Sequence, residues 1–248
     1  MTPLIALAIL ITTLITAFIS GIFGMAGGII LMGVLAILLP VSHAMVIHGA
    51  IQLVSNGWRA FLLRDHVDYK FLKAYVIGAG VAFAVLMFIV WRPDKQALFL
   101  LLGALPLLVW LPRNWVRLDA LSPRQGAVSG FVISGLNTLA GVSGPLLDLL
   151  FINTPMTRQQ IVASKSASQV IAHVIKIVVW SYPSLVAAGW STMPPMWIGL
   201  AAIPLSMCGT WAGSQVLHRL TDVSFRKWMK WLVTGVGITY LARGFGLY

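Results

Sequence analysis

The chain has 248 residues, 59% of them hydrophobic and 9% charged, against roughly 25% charged residues in a soluble domain. With a mean hydropathy of +0.91, this composition excludes a soluble globular domain and describes an all-α polytopic membrane protein. A net charge of +11 would suggest nucleic acid in a soluble chain, but these basic residues sit in short connections, where they set membrane orientation. The single cysteine, Cys208, excludes an intrachain disulfide and a cysteine metal cage.

Apolar segments are predicted near 4–19, 26–39, 43–63, 71–91, 96–111, 125–139, 143–154, 159–181, 193–217 and 228–246. The first has no Lys or Arg before it, so it lacks the basic region of a cleaved signal peptide and reads as a mature segment. A bilayer needs about 20 residues per helical span. Four segments fall short of that or nearly so, and they flank two glycine breaks in pairs. The first break is Ser20-Gly21-Ile22-Phe23-Gly24-Met25-Ala26-Gly27-Gly28; the second is Ser134-Gly135-Leu136-Asn137-Thr138-Leu139-Ala140-Gly141-Val142-Ser143-Gly144-Pro145. Backbone broken in this way survives in hydrocarbon only where protein or a water-filled cavity surrounds it.

Three connections are basic: Arg59, Arg64, Lys70 and Lys73 flank the first, Arg113, Arg117 and Arg124 the second, and Arg219, Arg226, Lys227 and Lys230 the third. The stretch 182–192 is uncharged. If 125–154 crossed once, the neutral stretch would lie inside and the last basic one outside. If 125–139 and 143–154 instead form a hairpin entering and leaving on the cytoplasmic side, every loop obeys the positive-inside rule. The same logic makes 4–39 a hairpin entering from outside. With Arg158, twelve of the 17 Lys and Arg then face the cytoplasm, and Arg92, Lys95 and Arg243 lie outside.

Each half is thus one hairpin plus three spans, residues 1–116 and 117–248, and three being odd, the second half is inverted relative to the first. In that layout broken helices place a substrate site near the midplane. Tryptophans at predicted span ends, Trp91, Trp110, Trp115, Trp180, Trp190 and Trp228, read as interfacial anchors.

At an offset of 117 residues His48 aligns with Lys165, Gln52 with Gln169, and Arg59 with Lys176. Steps of four and eleven return to within about 40° and 20° on a helix, so each triplet forms one polar stripe. Ser55 and Asn56 read as interhelical hydrogen-bonding residues. Lys165 is a charge inside the membrane, expensive by roughly 2.5–3.5 kcal/mol. Lys176 and Arg59 lie near predicted span ends, where each reads as a snorkelling cation. His48 and His173 read equally as buried neutral donors or proton carriers. Asp148, the one acid in a predicted membrane segment, is expected in the first turn of the second half-helix, where the dipole favours a carboxylate. It is placed either to pair with Lys165 or to take up a proton.

At these residues the chain resembles the sulfite exporter TauE/SafE family, also called the toluene-sulfonate uptake permease group. The resemblance rests on Gly21–Gly28, on Gly141-Val142-Ser143-Gly144-Pro145, and on the connection Arg64-Asp65-His66-Val67-Asp68-Tyr69-Lys70. It implies a multi-pass transporter of the bacterial inner membrane for sulfur-containing anions such as sulfite, sulfonates or sulfoacetate.

The expectation is therefore a secondary transporter of small anions, not an enzyme, working by alternating access with protons as coupling ion and with both termini external. Substrate would meet the free amides of Ala26, Gly27, Gly28, Ser143 and Gly144 together with His48, Gln52, Lys165 and Gln169. His48, Asp148 and His173 are the proton-coupling candidates. No metal, no cofactor and no nucleic acid is expected; the partners are the anion, the lipid bilayer and, as an arrangement left open, a second copy in a homodimer. A cation transporter would want more carboxylates or thiolates than Asp148 alone. An intramembrane enzyme would want a nucleophile with a matched base, or a histidine-rich metal motif.

Overall fold

The computed structural model describes residues 1–23, 25–89, 91–111, 119–151, 154–217 and 222–247. Gly24, Trp115, Arg113, Arg117 and Arg219 lie outside the described residues. Among the described residues there are ten α-helices and no strand. They are α1 (Pro3–Phe23), α2 (Met25–Leu38), α3 (Val41–Leu62), α4 (Tyr69–Phe88), α5 (Lys95–Ala104), α6 (Pro123–Ala140), α7 (Gly144–Phe151), α8 (Arg158–Ala188), α9 (Met196–Leu217) and α10 (Asp222–Gly244).

Local chemistry explains several starts. The Asp68 carboxylate accepts from the Phe71 amide (2.9 Å) at α4, and the Asp94 carboxylate accepts from the Ala97 amide (2.8 Å) at α5. Thr157 and Gln160 cap each other's backbone at α8. Caps of this kind are worth about 1 kcal/mol each. They pin helix ends where the polar connections lie.

Two boundaries differ from the sequence expectation. α1 runs on through Ser20-Gly21-Ile22-Phe23, so at 21 residues it is about 31 Å long and able to cross a bilayer; it is not a half-helix. α8 continues to Ala188 with Pro183 inside it, so most of the uncharged stretch 182–192 is helical. α5 passes at Leu105 into a 3₁₀ turn ending at Trp110, with Pro106 near its start.

The halves interleave. α1 packs along α9 as α6 packs along α4, while α3 packs on α8 and α5 on α10. Exchanging the first five helices with the second five maps this pattern onto itself. Both long pairings depend on small residues. A Cβ on Gly21 would come within 2.8 Å of Gly213 Cα, and one on Gly209 within 2.7 Å of the Leu14 carbonyl oxygen. Across α4 and α6, Gly78 and Gly130 meet the partner backbone in the same way. Without a hydrophobic force between helices in lipid, such close approach supplies the attraction.

Apolar and polar residues are sorted opposite to a soluble protein. Leu4, Leu7, Ile11, Val76, Ile77, Val81, Phe88 and Trp211 are exposed, whereas His48, Gln52, Asn137, Ser143, His173 and Lys176 are buried. An exposed apolar belt of this extent requires lipid around it. Among the described residues four helices, α1, α4, α8 and α9, are long and apolar enough to span. Interhelical hydrogen bonds join the interior: Ser55 to Thr210 (3.1 Å) and Tyr75 to Ser134 (3.2 Å). Trp180 departs from the belt expectation, because it is 6% exposed and its indole donates to the Thr138 carbonyl (2.8 Å).

Candidate functional site

The hairpins and the α3–α8 pair enclose a cavity of about 570 Å³. Small-molecule sites commonly fall between about 300 and 1,000 Å³. Its deep end is made by His48, Asn137 and His173, all at most 3% exposed. Its wall towards the basic connections carries Arg59, Leu111, Ile161, Met229 and Lys230, each only half buried. The mouth therefore lies at the basic end of the molecule.

The α3 stripe faces this space. The Gln52 carbonyl and its side-chain oxygen both accept from Asn56 Nδ2 (2.9 and 3.3 Å), which leaves the Gln52 Nε2 donors towards Gly28 and the cavity. One turn on, Arg59 donates to the Ser20 carbonyl (3.3 Å) at the C-terminal end of α1. On α8, Gln169 donates to Ser143 Oγ (3.3 Å) at the foot of α7. Lys165 forms an ion pair with Asp148, their side chains 24% and 29% exposed.

Deeper, Lys176 is fully buried. Its ammonium donates to His48 Nδ1 (2.7 Å) and to the Gly141 carbonyl (2.9 Å). Since His48 Nδ1 accepts, the ring proton belongs on Nε2, and Nε2 donates to the Gly28 carbonyl (2.9 Å). This chain of bonds clasps α2, α3, α8 and the end of α6 together. His173 stands edge-on to His48 with centroids 5.7 Å apart, and its Nδ1 accepts from Asn137 Nδ2 (3.3 Å). Asn137 Oδ1 is buried without a hydrogen-bond partner among the described residues.

Nine residues expected at the site line this one cavity: Gly28, His48, Gln52, Ser143, Gly144, Asp148, Lys165, Gln169 and His173. Ala26 and Gly27 do not. Ala26 is 1% exposed, and a Cβ on Gly27 would come within 2.7 Å of Ser20 Cβ. Gly27 lets α2 close onto α1, and neither residue lines the cavity. Asp148 is the fifth residue of α7, past the first turn, so Lys165 and not the helix dipole is its main partner. Lys176 does not snorkel: the continuation of α8 puts it twelve residues from the helix end, in the protein interior. Arg59 folds back to Ser20 instead of reaching the interface. Asn56 serves α3 and the cavity, with no bond to another helix among the described residues. Asn137 was missed, although its place inside the second glycine stretch signalled it. Among the described residues no group of three or more His, Cys, Asp or Glu comes together.

Residues 9–240 match the family model described as sulfite exporter TauE/SafE, nearly the whole chain. The chain belongs to the TauE/SafE sulfite exporter family. TauE/SafE membership implies a multi-pass membrane transporter of sulfite-like sulfur anions. For this TauE/SafE protein, comparison with the curated proteins and with the solved structures finds no match.

Proposed function

We propose that the protein is a secondary transporter that carries a small sulfur-containing oxyanion, of sulfite or sulfonate type, across the bacterial inner membrane. The observation that carries this reading is the charge on the cavity wall: Arg59, Lys165 and Lys230 line it against one acid, Asp148, which Lys165 already holds. A surplus of positive charge in poorly screened surroundings favours an anion. The first turn of α7, starting at Gly144 after Ser143, adds amides whose dipole end has the same sign. Apolar walls from Ile22, Phe23, Val142 and Ile161 suit a sulfonate's carbon body as well as they exclude a hydrated cation.

Transport in this reading is alternating access between inverted repeats 1–116 and 117–248. The basic loops put the observed mouth on the cytoplasmic side and both termini outside. No Gly-x-x-x-x-Gly-Lys-Ser/Thr run occurs in the sequence to bind ATP, so an ion gradient supplies the energy. Protons fit best, with His48, His173 and Asp148 as carriers. A proton reaching His48 must displace the Lys176 bond to Nδ1, which would couple protonation to the clasp.

Purified protein in proteoliposomes, offered sulfite, taurine, sulfoacetate, sulfate and acetate with and without an imposed pH gradient, tests the reading. Saturable movement of one sulfur oxyanion, enhanced by the gradient, is expected. Equal transport of acetate, or movement only of divalent metal ions, would overturn it. On a Cys208→Ser background, a cysteine at Ser191 should be labelled from outside and one at Arg226 only from inside; the reverse pattern would invert the orientation.

A further inference from the structure

The 117-residue offset extends beyond the stripes. It carries Ser20 onto Asn137, Gly24 onto Gly141 and Gly27 onto Gly144, along with Arg59 onto Lys176. Arg59 and Lys176 therefore occupy equivalent positions, and each reaches the C-terminal end of the first helix of a hairpin, although the two carbonyls they bond are one turn apart in the repeat. Arg59 donates to Ser20 at the C-terminal end of α1, and Lys176 donates to Gly141 at the C-terminal cap of α6. Each sets a full positive charge against a helix end carrying roughly half a negative one. Neither has a carboxylate partner among the described residues.

Their surroundings differ in one respect that the pseudo-two-fold makes visible. The offset also exchanges His48 with Lys165. Lys176 is therefore held by His48, a neutral acceptor, and is shut away from the cavity. Arg59 instead has Lys165 within electrostatic reach, and both line the cavity. The hydrogen bond to Ser20 uses one of the five guanidinium donors. The remaining fork lines the same cavity as the Gln52 amide, two turns away on α3, and matches the terminal oxygens of a sulfite or sulfonate group.

We propose that Arg59 and Lys176 are twin anchors for the transported oxyanion, used in turn: Arg59 when the cavity opens as here, and Lys176 when it opens to the opposite side. In the conformation seen, His48 and the Gly141 carbonyl hold the Lys176 ammonium in place of the anion. Opening the other side breaks the Lys176–His48 bond and offers the ammonium to the ligand, while Arg59 withdraws onto the end of α1. This rests on the anion-transport reading and assigns the charge that does the binding. Lys165, paired with Asp148, is not that charge.

The test is sidedness. Sulfite transport is measured in proteoliposomes of uniform orientation, with sulfite supplied from one face and then the other, for wild type, Arg59→Gln, Arg59→Lys, Lys176→Gln and Lys176→Arg. Arg59→Gln should raise the KM for sulfite by about tenfold or more at the face to which this cavity opens, the scale of a lost charged hydrogen bond, and much less at the other. Lys176→Gln should do the opposite. The charge-retaining variants should recover part of each loss. A merely structural cap predicts lower maximal rate and thermal stability with both KM values unchanged, and that result, or a rise of equal size at both faces, overturns the proposal. If Lys176→Gln does not fold, Arg59→Gln and Arg59→Lys decide it alone, since a two-sided rise for Arg59→Gln contradicts the exchange. Wild type that moves no sulfur oxyanion overturns the functional reading and this inference together; wild type that moves sulfite while Arg59→Gln is unaffected overturns the inference only.

Discussion

The two hairpins occupy equivalent places in the sequence repeat and have become different objects. α1 and α2, of 21 and 14 residues, lie against each other along their length, with Gly27 removing the side chain that would collide with Ser20. α6 and α7, of 18 and 8 residues, meet only near their joint, where Gly141 turns the chain with φ 78°. That left-handed conformation is open to glycine and costly to most other residues. Gly144, the equivalent of Gly27, lines the cavity. The first hairpin is a packed strut, and the second delivers a short helix with Asp148 and two small residues to the cavity. The comparison shows that a repeated residue inherits its position on the backbone, while its neighbours decide its task.

The largest effect should come from the glycines. Gly27→Leu forces a side chain into the α1 backbone and should prevent recovery of folded protein, since overpacking of this kind costs at least about 1–3 kcal/mol. Gly144→Leu should fold and lose transport by obstruction. Detergent-extracted yield and size-exclusion profile read the first, and proteoliposome transport the second. A Gly27→Leu protein that purifies as wild type would remove the distinction between strut and delivery arm.

An intermediate effect is expected at the Lys165–Asp148 pair. Either single change to alanine leaves one charge unpaired, and fully buried pairs lose about 3–5 kcal/mol in this way. With both side chains about a quarter exposed, solvent screening reduces this to about 1–2 kcal/mol. The double change should return to within about 1 kcal/mol of wild type in chemical unfolding. If the double variant also regains transport, neither residue is needed to bind the anion, which sharpens the assignment to Arg59. If it stays as unstable as the single variants, the pair is not what holds α7 against α8.

The smallest effects belong to the interhelical bonds. Ser55→Ala and Tyr75→Phe each remove one hydrogen bond, from the α3–α9 junction and the α4–α6 junction. Each should cost about 0.6 kcal/mol and leave transport intact. A cost above about 2 kcal/mol at either would show that the bond holds its junction together by more than an ordinary interhelical hydrogen bond.

Much of this was legible in the sequence because the membrane simplifies its physics. With water absent, backbone polar groups must be satisfied within helices, so hydropathy marked ten segments and all ten are helices. The stripe was legible because helical geometry alone decides which residues share a face: His48, Gln52 and Arg59 do line one cavity. Segment ends were harder to read. Ser181-Tyr182-Pro183 looks like a stop, yet proline is tolerated in a transmembrane helix when neighbours take up the freed groups. That extension moved Lys176 from an apparent interface to the centre of the protein.

By itself, then, the sequence determined the helical class, the repeat offset and the polar faces, which follow from local periodicity and composition, and its glycine motifs carried the resemblance to the family that the family model matches. Tertiary structure alone decided which charges are spent. Lys165 is neutralised by Asp148 from another helix, Lys176 is held by His48 and the end of α6, and Arg59 faces the cavity without a carboxylate among the described residues. Those outcomes depend on contacts between residues 17 to 128 positions apart. A charge's partner in a medium of low dielectric is set by which helices pack together, and no local pattern encodes that.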